Sequence, residues 1–190
     1  MENKTPFMPE IPEQEPQRQQ YFMAHAKEQL HILEENLGRP LTCCINTFGC
    51  QMNARDSEKL LGILETIGYQ AVETEDADFV LYNTCTVREN ANLRVYGRLG
   101  QLGARKKKHP HMMIALCGCM MQEKEVVEKI KKTYRFVDLI FGTHNIFKLA
   151  ELVSICLEER LEELEAQGRE DKKPKHKMVV DVWKDTDQIV

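Results

Sequence analysis

Apolar runs alternate with amphipathic stretches along most of the chain. The run LTCCINTF, residues 41–48, is β-branched and apolar and follows the dipeptide Arg39-Pro40, so it predicts the first buried strand. The same pattern predicts further strands over residues 69–72, 78–83, 112–116 and 136–141, and helices after Asn53 and over 87–107, 123–132 and 145–167. Strands and helices that alternate with short connections form a parallel sheet covered on both faces. The sequence therefore predicts a doubly wound, mostly parallel α/β domain.

Two flanking segments differ in composition from this predicted domain, which spans residues 41–167. Residues 1–40 begin with Pro, Glu and Gln and contain a helix predicted over 19–35, so we expect an amino-terminal extension that is partly helical or disordered. Residues 168–190 combine a charged linker, GREDKKPKHK, with the alternating segment KMVVDVW, which resembles an edge strand. We expect this segment to lead into a further domain that the chain does not include.

Composition narrows the class of protein without identifying it. The 190 residues are 42% hydrophobic, which is enough for a buried core, and no apolar run approaches the roughly 20 residues that span a bilayer. The first residues lack the apolar stretch of a secretory signal, so we expect a cytoplasmic protein with no membrane partner. The net charge of −4 gives no global attraction to nucleic acid. Seven cysteines, an odd number without an export signal, indicate thiols that are buried, metal-bound or reactive rather than a disulfide framework.

Three cysteines share one setting in the predicted fold. Cys50, Cys85 and Cys119 each follow the carboxyl end of a predicted strand and precede a helix. The carboxyl ends of parallel strands form a common edge where ligands bind, so these residues could converge in space. A thiolate at a helix amino terminus meets unpaired N–H groups and the positive end of the helix dipole, which favour the anionic sulfur that metals bind.

The number of thiols bears on the kind of metal site. A structural zinc site takes four Cys or His ligands, whereas an iron–sulfur cube held by three thiolates keeps one iron open for another ligand. A single cysteine at a strand end is more often a small buried hydrophobe, and that interpretation holds for Cys43, Cys44 and Cys156. Cys117, two residues before Cys119, could be a fourth thiol near the site or part of the core.

Polar residues close to these cysteines are candidates for supporting roles. Asn53 and Thr86 have the positions of helix caps, and the Thr86 cap follows Cys85 directly. Arg88, three residues after Cys85, could offset the negative charge of a cluster or contact a ligand beside it.

Other polar residues allow two interpretations. Arg94, Arg98 and the basic run 105–109 could form a strip for phosphate, but a solvated face and capping of the helix carboxyl end are favoured. His144 could be a ligand or proton donor at the same sheet edge, although a surface histidine beside a capping Asn145 is favoured.

Three segments carry a resemblance to a known family. They are TFGCQMNARDSE at residues 47–58, NTCTVRENA at 83–91 and GCMMQ at 118–122. Together they resemble the signature blocks of the amino-terminal domain of methylthiotransferases, over residues 42–150. QMN after Cys50 and TVRENA after Cys85 resemble the MiaB-type tRNA branch more than the branch that modifies a ribosomal protein.

The resemblance implies a site and an activity. Cys50, Cys85 and Cys119 would bind an auxiliary four-iron four-sulfur cluster, and the complete enzyme would add a methylthio group to carbon 2 of an N6-isopentenyladenosine next to the anticodon of tRNA. In that family a radical SAM domain binds a second cluster on a CxxxCxxC motif and cleaves S-adenosylmethionine, and an RNA-binding domain usually follows. No CxxxCxxC spacing occurs among the seven cysteines, so we expect this chain alone to be inactive, with no catalytic residue assigned. The alternative is a non-catalytic module whose cysteines are structural or bind zinc.

Overall fold

A six-stranded parallel sheet forms the centre of the protein. A computed structural model describes residues 10–49, 51–85, 89–167 and 176–182. The strands are β1 Thr42–Thr47, β2 Gln70–Ala71, β3 Phe79–Thr84, β4 Met113–Gly118, β5 Leu139–Phe141 and β6 Val179–Asp181, and they lie in the order β2-β1-β3-β4-β5-β6. Every pairing between neighbouring strands is parallel. The predicted doubly wound α/β fold is confirmed, and KMVVDVW contributes the predicted edge strand.

Helices cover both faces of the sheet, as predicted. The helices are α1 Gln17–Leu37, α2 Gln51–Ile67, α3 Glu89–Lys108, α4 Lys124–Thr133 and α5 Leu149–Glu165, and 3-10 turns span Cys119–Gln122 and Thr143–Lys148. One buried cluster contains residues of α1, α2 and α5, and the other contains residues of α3 and α4. Cys43 belongs to the first cluster and Cys44 to the second, because successive side chains of a strand point to opposite faces. None of the helices in the described ranges is long and apolar enough to cross a bilayer.

Helix α1 packs into the first cluster rather than projecting from the domain. Phe22, Leu30 and Leu33 are buried there, and α1 contacts both α5 and α2. The hydroxyl of Ser154 on α5 donates to Oε1 of Gln29 on α1 at 2.8 Å, and both residues are buried. The predicted amino-terminal helix is therefore an integral part of the folded unit, while the domain boundary at residue 41 stays a prediction.

A buried carboxylate joins three elements at the amino edge of the sheet. The amide nitrogen of Thr42 donates to Oδ2 of Asp78 at 2.9 Å, and Nη1 and Nη2 of Arg39 donate to its two oxygens at 2.8 and 2.7 Å. Nε2 of His111 lies 2.8 Å from Oδ1. Burial alone would raise the pKa of Asp78, but the hydrogen bonds from Arg39, His111 and Thr42 outweigh it and hold the pKa well below its usual range.

The depressed pKa predicts an acid-dependent contribution of Asp78 to stability. A carboxyl whose pKa is lower in the folded than in the unfolded state stabilises the fold above about pH 4, and this stabilisation disappears as the pH falls towards the folded pKa. We expect Asp78→Asn to lower the free energy of unfolding by about 2 kcal/mol near neutral pH, because hydrogen bonds to a charged group are lost. Urea unfolding at a series of pH values should show the two proteins converging in acid; parallel curves would contradict the assignment.

A candidate cysteine site at the carboxyl edge of the sheet

From β1 the chain adds β2 on one side of the sheet, and from β3 it adds β4, β5 and β6 on the other side, so the strand order reverses between β1 and β3. The connection from β1 runs through α2 on one face, and the connection from β3 runs through α3 on the opposite face. In doubly wound sheets the crevice outside the carboxyl ends of two such strands is where ligands bind. Cys85 and Cys119 directly follow β3 and β4 at or beside this crevice, and Cys50 comes three residues after the last residue of β1 in the sequence.

Strand register brings two of the cysteines to adjacent strand ends. Thr84 pairs with Gly118 at the ends of β3 and β4, and Cys85 and Cys119 are the residues that follow this pair. Neighbouring strands lie about 4.8 Å apart, so the two backbones leave the sheet side by side. Cys85 is buried and Cys119 is exposed.

Gly49 brings the end of β1 against Cys85. It has a φ of +145°, and a Cβ at Gly49 would overlap Cβ of Cys85 and lie 3.2 Å from its Sγ. A glycine is therefore required for this close approach of the backbone at residue 49 to the side chain of Cys85. Cys50 itself lies outside the described residues, but the residue before it contacts Cys85.

Asn53 has a different role from the helix cap that the sequence predicted. Helix α2 begins at Gln51, so Asn53 lies inside its first turn, where Nδ2 donates to the carbonyl oxygen of Thr84 at 3.0 Å and to Oδ1 of Asn83 at 3.3 Å. In return, Nδ2 of Asn83 donates to the carbonyl oxygen of Asn53 at 2.9 Å. The cap prediction was wrong because these acceptors come from β3 and are not visible in local sequence.

Asn83 and Thr84 are site residues that the sequence analysis missed. Their side chains are almost completely buried, and Nδ2 of Asn83 also donates to Oγ of Ser57 at 3.1 Å. Oγ1 of Thr84 donates to the carbonyl oxygen of Cys117 at 2.7 Å. The available signal was a polar pair, Asn-Thr, at the end of the otherwise apolar strand FVLYNT.

The remaining described thiols are core residues. Cys117 is completely buried, its register partners are Asn83 and Phe141, and burial raises its pKa well above the usual range. The structure therefore favours core packing for Cys117. Burial also raises the pKa of Cys43 to about 12, and that of Cys44 in the same direction. The raised pKa values disfavour the thiolate form, which is the form that binds metal.

The sequence analysis also named Thr86, Arg88 and basic residues of α3 as polar candidates. Arg88 and Thr86 lie outside the described residues. Three cations of the candidate basic strip pair with carboxylates: Arg98 with Glu75, Arg105 with Asp76, and Lys106 with Asp138.

His144 and Asn145, two candidates in the last 3-10 turn, differ in burial. His144 is exposed. Asn145 is buried and its Nδ2 donates to the carbonyl oxygen of Asp181 at 3.0 Å, which ties β6 to the turn.

A second group of potential metal ligands lies at the opposite edge of the sheet. Within the described ranges, Glu159, Glu163 and His176 have ligand atoms within 4.8 Å of one another. Nδ1 of His176 lies 2.9 Å from Glu159, and Arg160 lies 3.5 Å from Glu163. These contacts describe a network of ion pairs between α5 and the residues before β6, away from the cysteines.

Comparison with known proteins identifies the family to which the chain belongs. Residues 42–142 match the model of a family described as Uncharacterized protein family UPF0004. The chain is 63% identical over 168 residues to the tRNA-2-methylthio-N(6)-dimethylallyladenosine synthase of Lachnoclostridium phytofermentans. The aligned residues cover 88% of this chain and 33% of that protein.

Proteins of the same name from other organisms give similar matches. Identity is 47% over 173 residues for Acetivibrio thermocellus and 44% over 174 residues for Clostridioides difficile, which cover 90% and 91% of this chain. The chain spans about a third of the length of these relatives, 33% in each case. Because the family model matches more than half of its residues, the chain belongs to Uncharacterized protein family UPF0004, and its relatives are tRNA methylthiotransferases.

Proposed function

We propose that this domain binds an iron–sulfur cluster through Cys50, Cys85 and Cys119 as part of a tRNA methylthiotransferase. The observation that carries the proposal is that three cysteine-bearing segments lie together at the crevice between β1 and β3. Cys85 and Cys119 follow a register pair of β3 and β4, and Gly49, which precedes Cys50, contacts Cys85. Three segments that are distant in sequence therefore meet at one edge of the sheet.

The chemistry of the residues at this edge fits a cluster. Thiolates are the usual protein ligands of iron–sulfur clusters. Gly49 and Gly118 both have positive φ, and each allows a backbone approach that a side chain would block. When bound, a cluster with three protein thiolates supplies an iron that is open to a further ligand.

Local electrostatics support anionic sulfur at the edge. Helix α2 begins at Gln51, directly after Cys50, so unpaired N–H groups and the positive end of its dipole favour a thiolate at that position. Arg88 remains a proposed source of further positive charge, and it follows Cys85 by three residues.

The proposed substrate is tRNA, because each relative described above is named a tRNA-2-methylthio-N(6)-dimethylallyladenosine synthase. The reaction would add a methylthio group to carbon 2 of an N6-isopentenyladenosine in the cytoplasm. A second cluster and S-adenosylmethionine would be bound by other parts of the longer protein, since this chain spans 33% of its relatives. We therefore propose that the chain alone binds its cluster without catalysing the complete reaction.

Anaerobic reconstitution with iron and sulfide tests the cluster assignment. We expect a brown protein with about four irons and four sulfides per chain, because this is the composition of the proposed cluster. The triple variant of Cys50, Cys85 and Cys119 to Ala should lose the colour and the iron. Cys156→Ala is the matched control, since this buried thiol on α5 should leave the iron content unchanged. A colourless protein that binds zinc through the three cysteines would refute the proposal and support the alternative of a structural or zinc-binding module.

A further inference from the structure

Two buried asparagines face each other beneath the candidate cysteine site. Nδ2 of Asn53 donates to Oδ1 of Asn83, and Nδ2 of Asn83 donates to the carbonyl oxygen of Asn53. Asn53 is 5% exposed and Asn83 is 1% exposed, so both amides are removed from water. This Asn53–Asn83 pair links the first turn of α2 to the end of β3.

The pair contacts the residue that precedes each of the three cysteines. A Cβ at Gly49 would lie 3.2 Å from Oδ1 of Asn53, and Nδ2 of Asn53 donates to the carbonyl oxygen of Thr84. A Cβ at Gly118 would lie 2.9 Å from Oδ1 of Asn83.

The backbone of Asn83 also holds the end of β1. Its carbonyl oxygen accepts a hydrogen bond from the amide nitrogen of Phe48 at 2.7 Å, just after the last residue of the strand. One pair of side chains and its backbone are thus in contact with the ends of β1, β3 and β4.

We infer that Asn53 and Asn83 are positioning residues that set the relative placement of the three cysteine-bearing segments. This inference rests on the proposed function, because the segments matter for placement only if their thiols share a ligand. Neither asparagine is a ligand in this inference, and their effect is exerted through Gly49, Thr84 and Gly118.

Hydrogen bonding explains why amides occupy positions that apolar residues would otherwise fill. Asn83 shares a sheet face with Phe79 and Leu81, which are part of the first buried cluster. An apolar side chain there would bury more hydrophobic surface without the desolvation of an amide. Hydrogen bonds are directional, however, so the two amides hold the helix turn and the strand end at a defined distance and angle.

Near-isosteric apolar variants separate placement from stability. Asn83→Leu removes two donated hydrogen bonds and leaves the carbonyl oxygen of Asn53 and the hydroxyl of Ser57 without that donor, so it should lower the thermal midpoint of the apo protein. The double variant Asn53→Leu/Asn83→Leu removes both ends of the hydrogen bond between the two side chains, whereas the carbonyl oxygens of Asn53 and Thr84 still lose a side-chain donor. It should therefore recover only part of the lost stability.

The control is Ser154→Ala, which removes a buried hydrogen bond to Gln29 at the interface of α1 and α5. It should lower the thermal midpoint without affecting the cysteine edge.

The main readout is the rate at which the reconstituted protein releases iron to a ferrous chelator under anaerobic conditions. We expect release to be about 10- to 100-fold faster in both the single and the double Leu variants, as for other groups that orient metal ligands. Ser154→Ala should release iron at the wild-type rate. If the double variant regains stability and also releases iron at the wild-type rate, the pair is only structural and the inference is wrong.

A second readout needs no cluster. Dibromobimane becomes fluorescent when both of its arms have reacted with thiols, so in a Cys50→Ser background it reports the proximity of Cys85 and Cys119 in the apo protein. We expect slower cross-linking in the Leu variants than in the Ser154→Ala control. Failure of the wild-type protein to take up iron would refute the proposed function, whereas unchanged cross-linking in the Leu variants would refute the positioning role.

Discussion

Gly118→Ala is expected to destabilise the protein by about 4 kcal/mol, through backbone strain and steric overlap together. Gly118 has a φ of +103°, which residues with a Cβ rarely adopt. An added Cβ would overlap the carbonyl oxygen of Thr84 and lie 2.6 Å from its amide nitrogen. Both contacts are with the backbone of β3, so no side chain can rotate away to relieve them.

Relief of this steric overlap in Gly118→Ala is expected to move Cys119 relative to Cys85. The end of β4 would have to move away from β3, and Cys119 would move with it relative to Cys85. Urea unfolding measures the loss of stability, and the iron content after reconstitution measures the displacement.

Gly97→Ala on α3 is the matched control for Gly118→Ala. Apart from its chain neighbours and the backbone of its own helix, no atom lies within 4 Å of its added Cβ, so alanine should stabilise the helix by about 0.5–1 kcal/mol. If the two alanine variants have similar stability, the close contact between Gly118 and Thr84 does not constrain the fold.

Asp138→Asn is expected to lower the free energy of unfolding by about 3–5 kcal/mol, because it removes the carboxylate that pairs with the buried Arg160 and the partly buried Lys106. Asp138 is 2% exposed and Arg160 is 3% exposed, and Nη2 of Arg160 donates to Oδ1 of Asp138 at 2.6 Å. Nζ of Lys106 donates to both carboxylate oxygens at 2.8 Å, and the amide nitrogen of Ile114 donates to Oδ2 at 2.8 Å. The carboxylate thereby joins α3, α5 and β4.

An exposed ion pair provides the control for Asp138→Asn. Glu128 and Lys131 are exposed on α4 and lie 3.4 Å apart, so Glu128→Gln should change the free energy of unfolding by less than about 0.5 kcal/mol. Equilibrium urea unfolding of both variants makes the comparison. A loss below about 1 kcal/mol for Asp138→Asn would mean that water or other hydrogen-bond acceptors compensate the two cations.

The sequence predicted most of the fold because hydrophobic periodicity is local. Each predicted strand and helix is present, and the bounds differ mainly at the ends. The strand predicted over residues 136–141 covers only Leu139–Phe141. The amide nitrogen of Val137 donates to the carbonyl oxygen of Tyr134 in a turn, and the side chain of Asp138 binds cations instead of packing in the sheet. An apolar run indicates that a segment is buried, but it does not reveal such turns.

The candidate site was predictable to the extent that it depends on topology. Residues that follow parallel strands belong to one edge of the sheet, and the register of Thr84 with Gly118 agrees with that expectation for Cys85 and Cys119. The sequence did not predict the partners of Asn53, because Asn83 and Thr84 are 30 and 31 residues away along the chain.

The sequence by itself determined the fold class and the order of the cysteine-bearing segments, because both follow from residue patterns that repeat over a few positions. The tertiary structure alone decided which polar side chains meet at the cysteine edge, and which basic residues of α3 form ion pairs with distant carboxylates. Lys106 belongs to a basic run in the sequence but binds Asp138, 32 residues away, inside the fold. Hydrogen bonds and ion pairs require contact within a few ångströms, and only folding brings residues from distant parts of the chain that close.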